Sequence, residues 1–386
     1  MKNVRVGVIG TGGMGQYHLG YLNSVDGAEI GAVCDIEPGI LKKMSERYQV
    51  QEFRNHRELL ESGLVDAVII STPHYDHTPI AIEAFKKGLH VLSEKPVAVH
   101  VKDAKAMEDA HKSSNCVYGV MFQLRTVPVY IKMKELIDSG ELGEIVRVNY
   151  LVTDWFRTQA YYDSGGWRAT WRGEGGGVLL NQCPHSLDLL QWFAGMPVKV
   201  TALCSIGKYH HIEVEDDVTA MLEYENGATG IFVTSTGEAP GTNLFEIAGS
   251  RGKLKLQDDK LSFYRTRMPV QEFCDTATGG FDRPETWEID VPIPKSSKTP
   301  GHRQITENFI NAILKGEKLI APGEEGIRSL EIGNAIMMSG LQHKPVTLPL
   351  DGDGFEAMLN ELIAKSKHQK KVKEIEDDDF TKSFHT

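Results

Sequence analysis

The chain has 386 residues, 41% of them hydrophobic and 25% charged, which is long for one compact core and makes two domains the expectation. Its 42 Lys and Arg against 53 Asp and Glu give a formal net charge of -11, which disfavours a general binder of nucleic acid or of anionic membranes, because either needs a basic face. The opening run MKNVRVGVIG is too short for a signal-peptide core, and no later apolar stretch is long enough to span a bilayer. Cys34, Cys116, Cys183, Cys204 and Cys274 are scattered, with no C-x-x-C pair. Reduced thiols in a cytoplasmic protein, and no zinc site, are the expectation.

Up to about Phe122, short apolar runs alternate with amphipathic stretches. Val4–Ile9, Ala28–Cys34, Ala67–Ile70, His90–Leu92 and Val117–Met121 read as buried strands. Met14–Ser24, Ile40–Tyr48, Thr78–Lys87 and Val101–Lys112 have helical periodicity. This alternation predicts an α/β N-terminal domain over residues 1–122, with a parallel, doubly wound sheet. Val127–Ser139 then predicts a linking helix, Ile145–Thr153 a long strand and Leu179–Phe193 a helix. From Val198 to about Ile289 strands dominate, at Val198–Ile206, Val218–Tyr224, Ala228–Ser235, Asn243–Ala248 and Lys253–Leu256, with turn signals between them. Helices return at Arg303–Leu314 and Gly323–Ser339. Residues 123–366 therefore predict an α+β C-terminal domain with a large, mainly antiparallel open sheet. Residues 367–386, a basic run and then an acidic one, have little to bury and predict a solvated or frayed charged tail.

Gly10-Thr11-Gly12-Gly13-Met14-Gly15 fits G-x-G-x-x-G and sits where it carries weight, after the strand Val4–Ile9 and opening a helix. Gly10 makes the tight turn, Gly12 lets a pyrophosphate approach the backbone, and Gly15 lets helix pack on strand. The helix N-terminus then favours the phosphates. The first domain thus reads as a Rossmann dinucleotide-binding domain. The second strand ends in Asp35, where a carboxylate accepts from the ribose hydroxyls and repels a 2′-phosphate, favouring NAD over NADP. The alternative is an aspartate that caps the helix beginning near Pro38.

Two further segments point to a family. One is Ser71-Thr72-Pro73-His74-Tyr75-Asp76-His77 with Ser93-Glu94-Lys95-Pro96. The other is Trp167-Arg168 followed by Gly175-Gly176-Gly177-Val178-Leu179-Leu180-Asn181-Gln182-Cys183-Pro184-His185. With the glycine loop, these resemble the glucose–fructose oxidoreductase/inositol dehydrogenase/rhizopine catabolism family over the whole chain except its tail. The resemblance implies that Lys95 and His185 flank a substrate carbinol. It also implies that Ser71, Thr72 and His77 line the ribose and pyrophosphate, and that Glu94 and Gln123 lie near the nicotinamide. Trp167 and Arg168 would close over cofactor and substrate. The family commonly has Asp where this chain has Asn181, so Asn181 is assigned to substrate positioning and base duty to His185.

The chemistry suits these residue types. Oxidising an alcohol requires the hydroxyl proton to leave as the C=O forms, for which a neutral imidazole is a fitting base. An adjacent ammonium steadies charge developing on that oxygen. The aromatic and polar run Tyr161–Arg172 predicts a sugar- or cyclitol-binding loop, with Tyr162, Trp167 and Arg168 as substrate contacts, against the alternative of a packing loop. His74, Asp76 and His77 could be metal ligands by residue type alone, but no further ligands accompany them, and no metal is expected. The leading expectation is an NAD-dependent dehydrogenase of a ring secondary alcohol on a sugar, glycoside or cyclitol. The alternatives are an NAD-requiring glycosidase acting through transient oxidation, against which Lys95 argues, and a non-catalytic dinucleotide sensor. An open sheet leaves a face needing cover, and in the family a second subunit covers it, so a homodimer or homotetramer is expected.

Overall fold

The computed structural model describes residues 2–295 and 300–373, so the tail beyond residue 373 lies outside the described residues. In the first half, β1 (Val4–Ile9), α1 (Gly13–Leu22), β2 (Ala28–Cys34), α2 (Pro38–Tyr48), β3 (Gln51–Phe53) and α3 (His56–Glu61) come first. They are followed by β4 (Ala67–Ile70), α4 (His74–Lys86), β5 (His90–Ser93), α5 (Val101–Lys112) and β6 (Tyr118–Val120). The strands form one sheet in the order β3-β2-β1-β4-β5-β6, and every pair is parallel. Helices cover both faces, so the strands are continuous apolar runs such as Val4, Val6, Val8 and Ile9, all buried. The strand order reverses between β1 and β4, which opens a crevice at their carboxyl ends.

The second half begins with α6 (Pro128–Asp138), β7 (Ile145–Val152), α7 (Gln159–Asp163) and α8 (Pro184–Ala194). The meander β8 (Lys199–Ile206), β9 (Glu215–Glu223), β10 (Thr229–Ser235), β11 (Asn243–Gly249), β12 (Gly252–Gln257) and β13 (Lys260–Thr266) follows. Then come α9 (Val270–Thr276), β14 (Thr286–Asp290), α10 (His302–Lys315), α11 (Gly326–Gln342), β15 (Val346–Thr347) and α12 (Gly352–Lys365). The nine strands form one sheet in the order β14-β13-β12-β11-β7-β10-β9-β8-β15. It is antiparallel except between β7 and β10. Helices α8 and α11 lie against one face, on β7 and β8. On that side Val200, Ala220, Leu222 and Phe232 are fully buried, while their neighbours Leu203 and Met221 are 67% and 62% exposed on the other. This is the two-residue alternation of a sheet covered on one side.

Three departures from the sequence reading matter. The helix expected from Leu179 starts only at Pro184, after a run of turns over 178–183. Proline has no N–H, so the helical ladder cannot continue upstream through it. Helix α10, grouped by sequence with the second domain, packs instead on α1, β1 and β5. The chain following it pairs Pro322 with Gly119 at the edge of β6, and Val120 N–H donates to Ala321 O. Finally, residues 367–373 are largely exposed but not free. The Lys373 N–H donates to Asp163 O, its ammonium lies 2.7 Å from the Asp163 carboxylate, and Lys370 donates to Tyr162 O.

Candidate active site

The glycine loop fits the predicted roles. Gly10 has φ +88°, and a Cβ there would stand 2.6 Å from Ser71 O. A Cβ on Gly15 would lie 1.9 Å from Gly10 O, whereas one on Gly12 would meet nothing within 4 Å. Two glycines are thus required by close packing, and the third faces open space at the start of α1, where Gly13 and Met14 supply first-turn amides. That is the shape a pyrophosphate needs. Ser71 Oγ donates to Gly10 O and ties β4 to this loop. Asp35 accepts from Thr11 N–H at 2.6 Å and from Thr11 Oγ at 3.0 Å, so its carboxylate stands beside the glycine loop. Its other oxygen accepts from Glu37 N–H. That bond closes the turn ahead of α2, whose N-cap is Glu37 with no side-chain cap bond, so Asp35 is not the helix cap named as the alternative.

Several predicted cofactor contacts act from beneath the cleft. Both ring nitrogens of buried His77 face backbone carbonyls, Pro96 O at 2.7 Å and Thr72 O at 2.9 Å. It therefore couples the Thr72 loop to the Lys95–Pro96 segment. Burial lowers its pKa against the pull of those two carbonyls. Glu94 accepts from His18 Nε2 at 2.8 Å, wholly inside the protein. Burial disfavours its charge, yet the bond to His18 and the charges of His18, His302 and Lys95 together outweigh this and hold its pKa at about 2. Thr72 Oγ and Gln123 Oε1 are buried without a partner among the described residues, polar atoms of the kind a bound ligand satisfies.

Lys95 follows β5 directly, at the carboxyl edge of the sheet, and its Nζ donates to Asn181 O at 2.9 Å. Because Pro184 cannot donate, this pre-helical turn keeps carbonyls for other donors. Asn181 thus joins the two halves one helical turn before His185. The His185 Nε2 lies 3.2 Å from Gln123 Nε2, and its Nδ1 is buried with no partner. Burial, and next the charge of Lys95, holds its pKa well below the usual histidine value, so the imidazole is neutral at pH 7. Burial likewise lowers the pKa of Lys95, partly opposed by Glu94 and reinforced by Arg168. His185 is thus a neutral imidazole, and the Lys95 ammonium gives up its proton more readily than a solvated one.

The aromatic loop needs a correction. Tyr162, expected as a substrate contact, is 2% exposed and donates to Thr236 Oγ at 2.7 Å inside the core. Helix α7 turns its neighbour Tyr161 outward instead. Arg168 Nη1 and Gln182 Nε2 both donate to the Tyr161 hydroxyl, which donates in turn to Asn181 Oδ1. The Arg168 guanidinium lies over Tyr161 and Trp167, 4.7 and 4.6 Å from the ring centres. Trp167 meets His74 edge-on at 5.3 Å.

Sequence reasoning missed two features. Glu174 is buried and accepts from the Asn181 amide and from Ala169 N–H. Arg125 makes a buried two-bond pair with Asp188 at 2.6 and 2.8 Å and reaches Glu325, which fixes α8 to the segment after β6. Asp188 lies one turn beyond His185, and that spacing was the available signal. Among the described residues no group of three or more His, Cys, Asp or Glu could hold a metal ion, and no helix is long and apolar enough to cross a membrane.

Comparison with known proteins agrees with this geometry. Residues 4–122 match the family profile described as an oxidoreductase family with an NAD-binding Rossmann fold, and residues 130–255 match the GFO/IDH/MocA C-terminal domain. The chain is 27% identical to levoglucosan dehydrogenase of Pseudarthrobacter phenanthrenivorans, over 90% of this chain and 99% of that one. It is 27% identical to scyllo-inositol 2-dehydrogenase (NAD(+)) of Bacillus subtilis, over 65% and 73%. The crystal structure of the WlbA dehydrogenase from Bordetella pertussis, in complex with NADH and UDP-GlcNAcA, is similar with a TM-score of 0.76 at 28% identity, covering 90% of this chain and 100% of that one. With both halves matched, the chain belongs to the GFO/IDH/MocA oxidoreductase family and is an NAD-dependent dehydrogenase.

Proposed function

We propose that this dehydrogenase acts on a ring secondary alcohol of a sugar, glycoside or cyclitol, with Lys95 and His185 handling the hydroxyl proton. The observation that carries the reading is the bond from Lys95 Nζ to Asn181 O, which brings the first half's ammonium to the turn that leads into His185. NAD, when bound along the Gly10–Gly15 loop, takes up the hydride. The chain's own residues do the rest. Neutral His185 accepts the hydroxyl proton, and Lys95 steadies negative charge on the same oxygen. Asn181, Tyr161 and Arg168 offer donors and acceptors to neighbouring hydroxyls, and the Trp167 and Tyr161 rings offer apolar faces. The relatives whose names specify levoglucosan and inositol as substrates support a polyhydroxylated ring.

NAD is favoured over NADP because the Asp35 carboxylate stands beside the glycine loop, where it would repel a 2′-phosphate. A second copy of this chain is the proposed cover for the open face of the nine-stranded sheet, where Leu203, Met221 and Ile231 are exposed. The direct test is NADH formation across a panel of inositols, free sugars and glycosides. Turnover on at least one ring polyol is expected. Release of an aglycone with no net NADH, or no turnover on any member, would overturn the reading.

A further inference from the structure

Position 181 carries an amide, so it brings no negative charge to the cleft. The structure brings one there by another route. Glu174 is 1% exposed, seven residues ahead of Asn181 at the start of the glycine-rich loop. Its backbone is clamped, its N–H donating to Thr170 O and its carbonyl facing His74 Nδ1 at 3.2 Å. One carboxylate oxygen accepts from Asn181 Nδ2, and the other accepts from Ala169 N–H at 2.5 Å. Ala169 has φ +56°, a left-handed conformation uncommon for a residue with a side chain, and this bond helps to hold it there.

These bonds have a fixed direction, because a carboxylate only accepts and a guanidinium only donates. Arg168 donates to Tyr161, Tyr161 to Asn181 Oδ1, and Asn181 Nδ2 to Glu174. The Asn181 amide therefore has one orientation, and its backbone carbonyl is the acceptor for Lys95. We propose that Glu174 is a positioning residue for the dehydrogenase reaction, its buried carboxylate supplying through Asn181 the negative charge that orients the cleft and keeps Lys95 protonated.

Burial lowers the pKa of Lys95; the charges of Glu94 and Glu174 oppose that, and those of Arg168 and Arg157 reinforce it. Glu94 also accepts from His18, and Glu174 is the second anion acting on Lys95, the one bonded to Asn181. His74, His185 and His302 share the same field, and burial holds all three below the usual histidine value, so they add no positive charge at pH 7. Burial raises the pKa of Glu174, and Arg168, the bonds from Asn181 and Ala169, and Lys370 oppose that rise and favour the carboxylate.

The inference rests on the polyol dehydrogenase reading, and the test separates the two. In Glu174→Gln the side chain can turn its one oxygen to only one of the two donors. The expected result is a kcat about tenfold lower, an alkaline limb of the rate profile moved about half a pH unit or more to lower pH, and NADH affinity within about twofold of wild type. Adding Asn181→Asp returns a carboxylate to the cleft and should move that limb back. An unchanged limb in Glu174→Gln, or a limb that the double variant leaves displaced, would overturn the proposal. Acetylation of Lys95 by acetic anhydride, followed by mass spectrometry across pH on NADH-saturated protein, needs no turnover. If its midpoint falls in Glu174→Gln while wild type oxidises no polyol, the Glu174 assignment stands and the substrate reading fails. If wild type turns over but the midpoint does not move, the reverse holds.

Discussion

Lys95 and His185 differ in what each should cost when removed and in how each should respond to pH. Lys95→Ala leaves the glycine loop intact, so NADH binding measured by fluorescence should change little. The kcat should fall about 10²–10⁴-fold, because the ammonium acts mainly on charge that develops in the transition state. Near-normal turnover would remove Lys95 from the reaction. Burial pushes His185 well below the usual histidine value, so its base form persists on acidification. A profile of kcat/KM limited by His185 should stay flat from pH 8 down through 6.5 and fall only below that. Burial also lowers the pKa of Lys95, so the alkaline limb should set in below the pH at which a solvated lysine titrates. A rate that halves near pH 7 would point to a different base. The glycine loop was legible in the sequence because its motif follows a strand and opens a helix, whereas Lys95 and His185 were expected only through the family resemblance. The burial of Tyr162 was not legible, since adjacent tyrosines differ only in which way α7 turns them, and that is decided by the Thr236 hydroxyl far along the chain. Nothing in the run Gly173–Gly177 announces that Glu174 is buried, because glutamate is usually solvated.

Among the elements, the glycine run before α8 depends on a side chain from β9. Glu215 Oε1 accepts from Gly177 N–H at 2.8 Å and Leu179 N–H at 3.1 Å, while its Oε2 is buried without a partner. Burial outweighs these bonds and pushes its pKa up to about 7. An acid whose pKa is higher folded than unfolded favours the fold in its protonated form. That contribution is whole below about pH 4.5 and is lost as pH rises through 7. Glu215→Gln, neutral throughout, should therefore match wild type in urea midpoint near pH 5. It should exceed wild type by up to about 3 kcal/mol of stability at pH 8.5. A difference independent of pH would show that the group does not titrate in this range. The elements themselves were read best where apolar periodicity was strong, and Val4–Ile9, Ala28–Cys34, Ala67–Ile70 and Val101–Lys112 end where expected. Helix α12 was missed because Gly352 and Gly354 open it, and its start depends on Asp351 accepting from Gly354 N–H. Strand β14 was missed because its edge position leaves Trp287 and Ile289 exposed amid charges, which blurs the alternation; β13, paired on both sides, was missed as well.

For the whole molecule, the open face of the nine-stranded sheet is the surface on which the proposed pairing with a second copy rests. Met221 pairs directly with Ile231 across β9 and β10, and Leu203 stands two residues along the neighbouring β8. All three point away from the helices that cover the other face. If a second copy buries them, Met221→Lys should shift the sedimentation of the protein to that of the monomer while its far-ultraviolet circular dichroism stays unchanged. A wild-type chain that already sediments as a monomer would sink the proposed cover. The alternation along β8–β10 made this face predictable, but not the path of the chain after β14.

That path limits how the molecule can be divided. The strand order would invite a cut after Phe122 to obtain a minimal dinucleotide module. Such a fragment would lose α10 from the surface of α1 and would lose the Ala321–Pro322 segment that hydrogen-bonds to β6. It would bare Tyr17, His18 and Tyr21 of α1, which meet His302 and Thr306 of α10, and leave an unpaired strand edge, both invitations to aggregate. Engineers wishing to transplant the module would have to splice residues 300–322 back onto it, or supply them as a separate peptide.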